Sequence, residues 1–346
     1  MRRTLWDCIR DQFTPQPPVA KADLTGKTVL VVGANTGLGF EAAQHFAKMN
    51  PGLLILACRS ESRGQAALEK LKANTGCTTA EVWIVDLADF ASVKQFCDKF
   101  EREDGRRLDI LVLNAAILAE KYEPTKDGWE TALQISCLST PLVALALLPA
   151  MLKTAREHAT QPRLVVVSSE MHYFTRIPKK VLEDPEILKT LGSKEYCTPA
   201  VMATRYHCTK LLNILFVRAL TARLPSDSPL IVTTVNPGFC HSDLLRGLSG
   251  IVWLLEYLFG LFFYFSTEVG SRQYVFAALA PMGDAEELRG AYISGSKIVE
   301  PSDFVMSEEG KKTQDRIWNE TVDILEKVDP RVGVTIEKYL SEGVVE

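Results

Sequence analysis

Tyr206 and Lys210 are four residues apart in the segment Arg205-Tyr-His-Cys-Thr-Lys, a spacing that places two side chains on one face of a helix. An ammonium group beside a phenol favours the phenolate, so the lysine is expected to lower the pKa of the tyrosine from its usual value of about 10. A phenol tuned in this way can act as a general acid or base. Alone, the pair also fits a surface tyrosine that happens to lie beside a lysine.

A glycine-rich loop follows the apolar run Thr28–Val32 and reads Gly33-Ala-Asn-Thr-Gly37-Leu-Gly39. Glycines there permit a tight turn and a close approach of the backbone to a pyrophosphate, while the start of the next helix offers free N–H groups to the anion. A simple tight turn is the alternative, but the position after the first strand favours dinucleotide binding. The predicted contacts in this loop are Gly33, Asn35, Thr36, Gly37, Leu38 and Gly39.

The end of the second strand, Leu56-Ala-Cys-Arg59, carries no carboxylate. An acidic residue at this place binds the ribose 2′-hydroxyl of NAD, whereas a basic residue accommodates the 2′-phosphate of NADP. Arg59 can pair with that phosphate and stack on the adenine, with Asn35 and Arg63 assisting. The sequence therefore predicts NADP(H) as cofactor, and an ordinary surface arginine is the alternative.

Two further strand ends carry polar residues. Asp86, with Leu87 after it, can accept a hydrogen bond from the adenine amino group, and a helix N-cap is the competing interpretation. Asn114, followed by Ala115, is predicted beside the adenine and ribose, and a turn-forming asparagine is its alternative.

These residues need a scaffold in which strands and helices alternate. Strand patterns occur at 28–32, 53–57, 82–85, 110–113, 164–167 and 231–235, with an edge strand at 291–293, and helical patterns at 38–48, 61–73, 89–104, 127–157 and 205–223. Pro141 and Pro149 are expected to divide or kink the fourth helix. Such alternation implies parallel pairing with right-handed crossovers, hence an α/β fold with a doubly wound parallel sheet, the Rossmann fold.

We expect one Rossmann-fold domain over residues 23–330, an N-terminal extension over 1–22 and a C-terminal tail over 331–346, with a helix at 307–328. The extension contains a helix at 3–13 whose stripe of Leu5, Ile9 and Phe13 packs onto the body, with a peripheral membrane anchor as alternative. Insertions at about 170–205 and 244–265 are interpreted as substrate lids. The second contains the apolar run 251–265, which is shorter than the ~20 residues that cross a bilayer. A membrane-surface helix is its alternative.

Composition narrows the choice of partners and compartment. The net charge of the 346 residues is −4 and no basic tract occurs, so nucleic acid is not expected as a partner. The eight cysteines form no Cys-x-x-Cys pair, which favours reduced, buried thiols and a cytoplasmic location. The five histidines show no metal-binding spacing. We therefore expect no metal and no transmembrane segment, with peripheral membrane contact as the alternative.

Taken together, residues 23–318 resemble the short-chain dehydrogenase/reductase family, most closely its retinol-dehydrogenase-like branch and the fungal reductases of secondary metabolism. The resemblance lies in Leu24-Thr-Gly-Lys-Thr-Val, the glycine loop and Ala57-Cys-Arg. It implies that Tyr206 is the general acid/base, that Lys210 assists it and holds the nicotinamide ribose, and that Ser169 hydrogen-bonds the substrate oxygen. It also implies cofactor contacts from Pro237, Gly238 and Ser242, although Ser242 can equally be an N-cap.

One position departs from the family pattern. Ser136 occupies the place of the family's helix asparagine, which holds a water molecule next to the lysine. A serine hydroxyl can bind a water but cannot reproduce the geometry of the amide. We count Ser136 with Ser169, Tyr206 and Lys210 as the catalytic group. The fourth and fifth helices are compatible with the homodimer bundle that is common in the family.

The expected function is NADPH-dependent reduction of a ketone or aldehyde, reversible as alcohol oxidation. The long insertion and the aromatic run at 244–265 favour a bulky, hydrophobic, polyketide-like substrate. Two alternatives stay open. In the first, Tyr206 and Ser169 serve a dehydration, isomerisation or cyclisation without redox turnover; in the second, the chain binds NADP(H) and catalyses nothing.

Overall fold

A computed structural model describes residues 3–102, 107–241, 260, 264–280 and 285–340. Within these residues eight strands form one sheet in the order β3-β2-β1-β4-β5-β6-β7-β8. The first seven pair in parallel and β8 is antiparallel to β7. This arrangement confirms the predicted doubly wound Rossmann sheet. The strands are β1 (Thr28–Val32), β2 (Leu53–Cys58), β3 (Ala80–Ile84), β4 (Ile110–Leu113), β5 (Arg163–Val167), β6 (Ile231–Asn236), β7 (Tyr292–Ser294) and β8 (Lys297–Val299).

Helices cover both faces of the sheet, and further helices precede the first strand and follow the last strand in the chain. Those in the first half are α1 (Leu5–Gln12), α2 (Gly37–Ala47), α3 (Glu61–Thr75), α4 (Phe90–Arg102), α5 (Thr131–Leu133) and α6 (Thr140–His158). Those in the second half are α7 (Lys179–Leu182), α8 (Ile187–Gly192), α9 (Pro199–Met202), α10 (Arg205–Arg223), α11 (Thr267–Leu279), α12 (Ala285–Leu288), α13 (Asp303–Met306), α14 (Glu308–Val328) and α15 (Arg331–Tyr339).

The central strands are apolar throughout because both of their faces are buried. Side chains alternate across a strand, so Leu30 and Val32 join the core beneath α4, α6 and α10, whereas Val29 and Val31 join the core beneath α2 and α11. The continuous apolar run of β1 is therefore explained by two cores, one on each side of the sheet.

Two sequence expectations need correction. The strand predicted as an edge, β7, lies inside the sheet, and β8 forms the edge. The fourth helix is interrupted by a π-helical turn at Gln134–Ser139, which ends just before Pro141, and it passes through Pro149 without a break. Proline has no N–H for the usual bond to the fourth preceding carbonyl. The neighbouring N–H of Thr140 bonds to the fifth preceding carbonyl, that of Ile135.

Helix α1 forms where the sequence predicts a helix, but it packs through a different face. Thr4 and Asp7 form a capping box at its start. Phe13, a member of the predicted apolar stripe, is 66% exposed, and Trp6 is 71% exposed. The fully buried residue is Cys8, and the guanidinium of Arg3 lies 5.6 Å from the centre of the Tyr173 ring. The stripe interpretation is wrong for Phe13, because Cys8, on another face of α1, is the residue that is buried.

The insertion at 170–205 is bound to the C-terminal part of the chain. It begins with a 3₁₀ turn, Glu170–Phe174, and continues through α7, α8 and α9. The carboxylate of Glu320 accepts hydrogen bonds from the backbone N–H of Leu188 and of Lys189. Arg316 donates to the backbone oxygens of Leu182 and Asp184. These contacts attach the insertion to α14.

The C-terminal helices cover α10 and α6, the helices proposed for a homodimer bundle. Helix α14 packs on α10, where the rings of Trp318 and Phe216 stack with centres 5.9 Å apart. Helix α15, in the segment expected as a tail, packs on α6. Within the described part of the chain, the span Thr131–His158 is long and apolar enough to cross a membrane, but 83% of its most apolar window is buried inside the protein. It is therefore a core helix.

Candidate active site

A cleft of about 420 Å³ opens at the C-terminal ends of the parallel strands, where open α/β sheets bind their ligands. Most of the predicted cofactor residues meet there, although they come from six separate parts of the sequence. The predicted residues that line it are Gly33, Asn35, Thr36, Gly37, Leu38, Arg59, Asp86, Leu87, Asn114, Ala115, Tyr206, Lys210 and Pro237.

Five predicted residues that the structure describes are absent from the lining of the cleft, namely Gly39, Arg63, Ser136, Ser169 and Gly238. Ser242 and most of the second predicted lid, 244–265, lie outside the described residues. No residue of the insertion 170–205 lines the cleft either. The interpretation of that insertion as a substrate lid stays a prediction; in this structure the insertion is bound to α14.

The glycine loop requires its glycines for two different reasons. Gly33 and Gly37 have φ values of 82° and 59°, in the region that side chains disfavour. Gly39 is required for space, because a Cβ atom there would lie 2.2 Å from the backbone oxygen of Gly33. Helix α2 begins at Gly37, so its free N–H groups and positive dipole end lie at the cleft. The loop and helix start are suited to a pyrophosphate.

Arg59 extends from the end of β2 and lines the same cleft. Its side chain is exposed, and it makes no hydrogen bond or ion pair with any residue that the structure describes. The neighbouring Ser60 caps α3 by accepting a hydrogen bond from the N–H of Arg63. A cationic side chain at this position, with no carboxylate bound to it, suits a ribose 2′-phosphate.

Asp86 makes a local turn rather than a helix cap. Its carboxylate accepts a hydrogen bond from the N–H of Ala88 at 3.0 Å, and its own N–H donates to Ser92. The start of α4 is capped by other carboxylates, Asp127 on the N–H of Phe90 and Asp89 on that of Ala91. The N-cap alternative for Asp86 is wrong, and its carboxyl group lies at the cleft.

Tyr206 lies at the start of α10, near the side chain of Ser169. Burial raises the pKa of Tyr206 to about 12, and the Ser169 side chain opposes that rise only in part. The Nζ atom of Lys210 is 5.4 Å from the centre of the Tyr206 ring and donates a hydrogen bond of 2.8 Å to the backbone oxygen of Val167. Burial lowers the pKa of Lys210 to about 8.

The expectation that Lys210 lowers the pKa of Tyr206 is therefore wrong for this structure. Desolvation acts on both groups in the direction of their neutral forms. The ammonium group donates to a carbonyl of β5, and Ser169, not Lys210, is the side chain that lowers the pKa of the phenol. The two side chains do share one face of α10, as their spacing predicts.

Ser169 caps the 3₁₀ turn that follows β5. Its Oγ accepts a hydrogen bond of 3.3 Å from the N–H of Met171. Since the cap accepts through a lone pair, the hydroxyl proton of Ser169 is free to be donated.

Ser136 is buried in the π-helical turn, and its Oγ has no hydrogen-bond partner among the described residues. Its neighbour Ile135 lines the cleft, whereas Ser136 does not. The Ser136 hydroxyl therefore makes no hydrogen bond to Ser169, Tyr206 or Lys210 in this structure.

Sequence reasoning missed three polar residues that organise the site. Asn213, one turn beyond Lys210 on α10, donates to the same oxygen of Val167 at 3.3 Å. The side-chain oxygen of Asn236 accepts from the N–H groups of Glu170 and Gly238, both at 3.2 Å. Asn213 could have been predicted from its spacing of three residues from Lys210 on the same helix. Asn236 could have been predicted from its position before the Pro-Gly turn. Tyr274, which lines the cleft, carried no signal.

The donor set suits a nicotinamide dinucleotide. A glycine loop at a helix start is matched to the pyrophosphate, Arg59 to a 2′-phosphate, and Lys210 to ribose hydroxyls. Within the described ranges, no three His, Cys, Asp or Glu side chains lie close enough together to hold a metal ion.

This chain is similar in sequence to known proteins of one family. The family model described as short chain dehydrogenase matches residues 27–177. The short chain dehydrogenase/reductase dmxR8 of Cryptosporiopsis sp. is 35% identical over 322 residues, which cover 92% of this chain and 95% of that protein. The short-chain dehydrogenase anuD of Penicillium roqueforti is 32% identical over 333 residues, covering 94% and 84%.

Solved structures show the same fold. Salutaridine reductase from Papaver somniferum has a TM-score of 0.57 at 21% identity, with 78% of this chain and 99% of that chain covered. An NADPH-bound carbonyl reductase from chicken fatty liver has a TM-score of 0.53 at 20% identity, covering 80% and 98%.

Proposed function

This chain belongs to the short-chain dehydrogenase/reductase family, and on that premise we propose that it reduces a ketone or aldehyde with NADPH, reversibly. The balanced reaction consumes the carbonyl compound, NADPH and one proton, and yields the alcohol and NADP⁺. The observation that carries the proposal is that Tyr206 and Lys210 line the same cleft as the glycine loop and Arg59, with Ser169 close enough to Tyr206 to act on its pKa.

When bound, the nicotinamide supplies the hydride. Hydride arrival at a carbonyl carbon builds negative charge on the oxygen, and Ser169 can donate a hydrogen bond to that oxygen. Tyr206 then gives the proton. In this structure the ammonium group of Lys210 donates to the backbone oxygen of Val167. When the cofactor is bound, it can donate to the ribose hydroxyls instead. A positive charge near the phenol would then oppose the effect of burial on its pKa.

The choice of NADPH rests on Arg59, which has no carboxylate partner in the described structure. The carbonyl reductase structure named above was solved with NADPH. The proposed substrate is a bulky, apolar, polyketide-like carbonyl compound of fungal secondary metabolism. The fungal relatives support this class, as do Ile117, Leu118 and Ile135, which add apolar surface to the cleft.

The test uses the purified protein with NADPH and a panel of aromatic ketones and aldehydes, following the absorbance of the reduced nicotinamide. Tyr206→Phe is expected to keep NADPH affinity and to lose turnover by about 10²- to 10⁴-fold, while Tyr339→Phe serves as control. Normal turnover by Tyr206→Phe would reject the proposed mechanism. Absence of any binding of NADPH or NADH by the wild-type protein would reject the function.

A second candidate keeps the fold without net redox turnover. It is favoured by Ser136, which stands where the family has an asparagine, and it assigns Tyr206 and Ser169 to a dehydration, isomerisation or cyclisation. Formation of product without NADPH oxidation would support it. If NADPH binds tightly and Tyr206→Phe changes no reaction, the chain is instead an NADP(H)-binding protein.

We also propose a cytoplasmic location with peripheral membrane contact. All eight cysteines are free thiols, which suits a reducing compartment, and α1 exposes Trp6 and Phe13, the kind of side chain that enters a membrane interface. Co-flotation with phospholipid vesicles, lost in Trp6→Ala/Phe13→Ala, tests the membrane contact.

A further inference from the structure

Tyr274 on α11 is completely buried, yet its hydroxyl group reaches the cofactor cleft from behind. The hydroxyl donates a hydrogen bond of 3.0 Å to the side-chain oxygen of Asn114 at the end of β4. These two residues are 160 positions apart in the chain. A hydrogen bond from a buried tyrosine thus connects α11 to the end of β4, beside the glycine loop.

The other end of the Asn114 amide holds that loop. Its nitrogen donates to the backbone oxygen of Gly33 at 2.9 Å and lies 3.4 Å from that of Val32. The amide fills the narrow space between two glycines, since a Cβ atom at Gly33 would lie 2.9 Å from the nitrogen and one at Gly39 would lie 2.5 Å from it. The shape of the loop therefore depends on the position of one carboxamide.

Tyr274 holds the oxygen side of that carboxamide. An asparagine side chain presents an acceptor on one side and donors on the other. The oxygen accepts from the hydroxyl of Tyr274, and the NH₂ group faces the carbonyl of Gly33. The two contacts together fix the position of the amide. Without the hydroxyl of Tyr274, the buried oxygen loses its partner and the amide is held from the loop side alone.

We propose that Tyr274 is a positioning residue for the dinucleotide: acting through Asn114, it holds the glycine loop in the shape that binds the pyrophosphate. The proposal rests on the proposed function, because it assumes that the cleft binds a nicotinamide dinucleotide. Tyr274 itself needs no contact with the cofactor. Its effect is confined to the part of the ligand that the loop and the start of α2 bind.

The chain offers a matched control in Tyr292. It is also a buried tyrosine, but its hydroxyl has no hydrogen-bond partner among the described residues. Tyr274→Phe and Tyr292→Phe each remove one buried hydroxyl and nothing else. The experiment measures the Kd of NADPH by fluorescence titration and the Kd of 2′-AMP by competition. The second ligand carries the 2′-phosphate for Arg59 but no pyrophosphate for the loop.

Tyr274→Phe is expected to raise the Kd of NADPH about tenfold, equivalent to about 1.4 kcal/mol, and to leave the Kd of 2′-AMP unchanged. Tyr292→Phe is expected to change neither. Because the proposed effect passes through Asn114, adding Tyr274→Phe to Asn114→Ala should weaken NADPH binding no further.

Three results would overturn the inference. An unchanged Kd of NADPH in Tyr274→Phe would show that the hydroxyl does not matter for the loop, while the proposed function would stand. Equal losses for NADPH and 2′-AMP would indicate general loosening of the fold instead of a positioned loop. If the wild-type protein bound no nicotinamide dinucleotide at all, the proposed function would fall together with this inference.

Discussion

The ammonium nitrogen of Lys210 donates a hydrogen bond of 2.8 Å to the backbone oxygen of Val167, the last residue of β5. Val167 immediately precedes the Ser168-Ser169 pair, so the lysine is fixed to the same strand end that carries the candidate catalytic serine. A neutral carbonyl compensates a buried positive charge only in part. The site therefore holds a charged group at a cost in stability.

Replacing Lys210 by an uncharged residue should increase the stability of the protein. Its pKa in the folded protein is about 8 against an ordinary 10.5, so the unfolded chain binds more protons between these values and stability rises with pH across them. Lys210→Met is expected to be more stable than wild type at pH 7 by about 2 kcal/mol, after subtracting the lost hydrogen bond. The advantage should shrink as the pH approaches 10, and turnover should be lost.

Urea unfolding at pH 7 and pH 9.5 measures this difference, with the exposed Lys180→Met as control. A Lys210→Met protein that is less stable than wild type at pH 7 would contradict the prediction.

Glu170 should make the protein less stable as the pH rises towards neutrality. Burial raises its pKa to about 7 from an ordinary 4.5, although Cys8 and Arg3 of the N-terminal segment oppose the rise. The folded protein binds the proton more tightly than the unfolded chain, so stability is lost between pH 4.5 and 7. The expected loss is about 3 kcal/mol. Glu170→Gln should abolish this slope.

Thermal unfolding at pH 5 and pH 8 tests the predicted loss of stability caused by Glu170. The exposed Glu183→Gln should retain the wild-type slope, and an unchanged slope in Glu170→Gln would mean that another group is responsible.

Arg59 should discriminate between the two nicotinamide cofactors. Removing a charge-assisted hydrogen bond to a phosphate costs about 1.5–3 kcal/mol, so Arg59→Ala is expected to raise the Kd of NADPH by about 10- to 100-fold. The Kd of NADH should change little, because NADH lacks the 2′-phosphate. Titration of both cofactors gives the ratio, with the exposed Arg156→Ala as control. Equal weakening of both cofactors would show that Arg59 does not contact the 2′-phosphate.

A buried ion pair lies directly before Tyr206. Arg205 and Glu130 approach to 3.3 Å with both side chains excluded from water. Arg205 also donates to the backbone oxygen of Leu191 at 2.6 Å. Arg205→Met removes the cationic partner of the buried Glu130 carboxylate, which keeps only its hydrogen bonds from the N–H groups of Ala132 and Leu133, and should lower the free energy of unfolding by about 3–5 kcal/mol. The double variant Arg205→Met/Glu130→Gln should recover part of that loss. If the double variant is no more stable than the single one, the charge of Glu130 is not the cause.

Ser136→Ala should keep turnover and cost no stability. The hydroxyl is buried, has no partner in the described residues and does not line the cleft, and removing an unpaired buried polar group is close to neutral or favourable. Measurement of kcat, KM and urea unfolding checks both parts. A tenfold or greater fall in kcat with an intact fold would instead place Ser136 in the proton relay.

Features that depend on near neighbours could be predicted from the sequence. Seven of the eight strands, the glycine loop and the shared face of Tyr206 and Lys210 follow from periodicity or spacing within one element, whereas the short edge strand β8 was not predicted. Arg59 was equally accessible, because it depends on the residue type at the end of one strand. Local conformation depends on residues a few positions apart, so these features can be predicted from the sequence alone.

The partners of the site residues and their charge states depend on the packing of distant segments. Val167 binds Lys210 from another element, Tyr274 reaches Asn114 from 160 positions away in the chain, and α1 docks through Cys8 instead of Phe13. The pKa of Tyr206 rises where its spacing from Lys210 predicts a fall, because the pKa depends on how much water surrounds the group after folding. Burial and long-range contacts depend on the packing of the whole chain, and no local pattern specifies them.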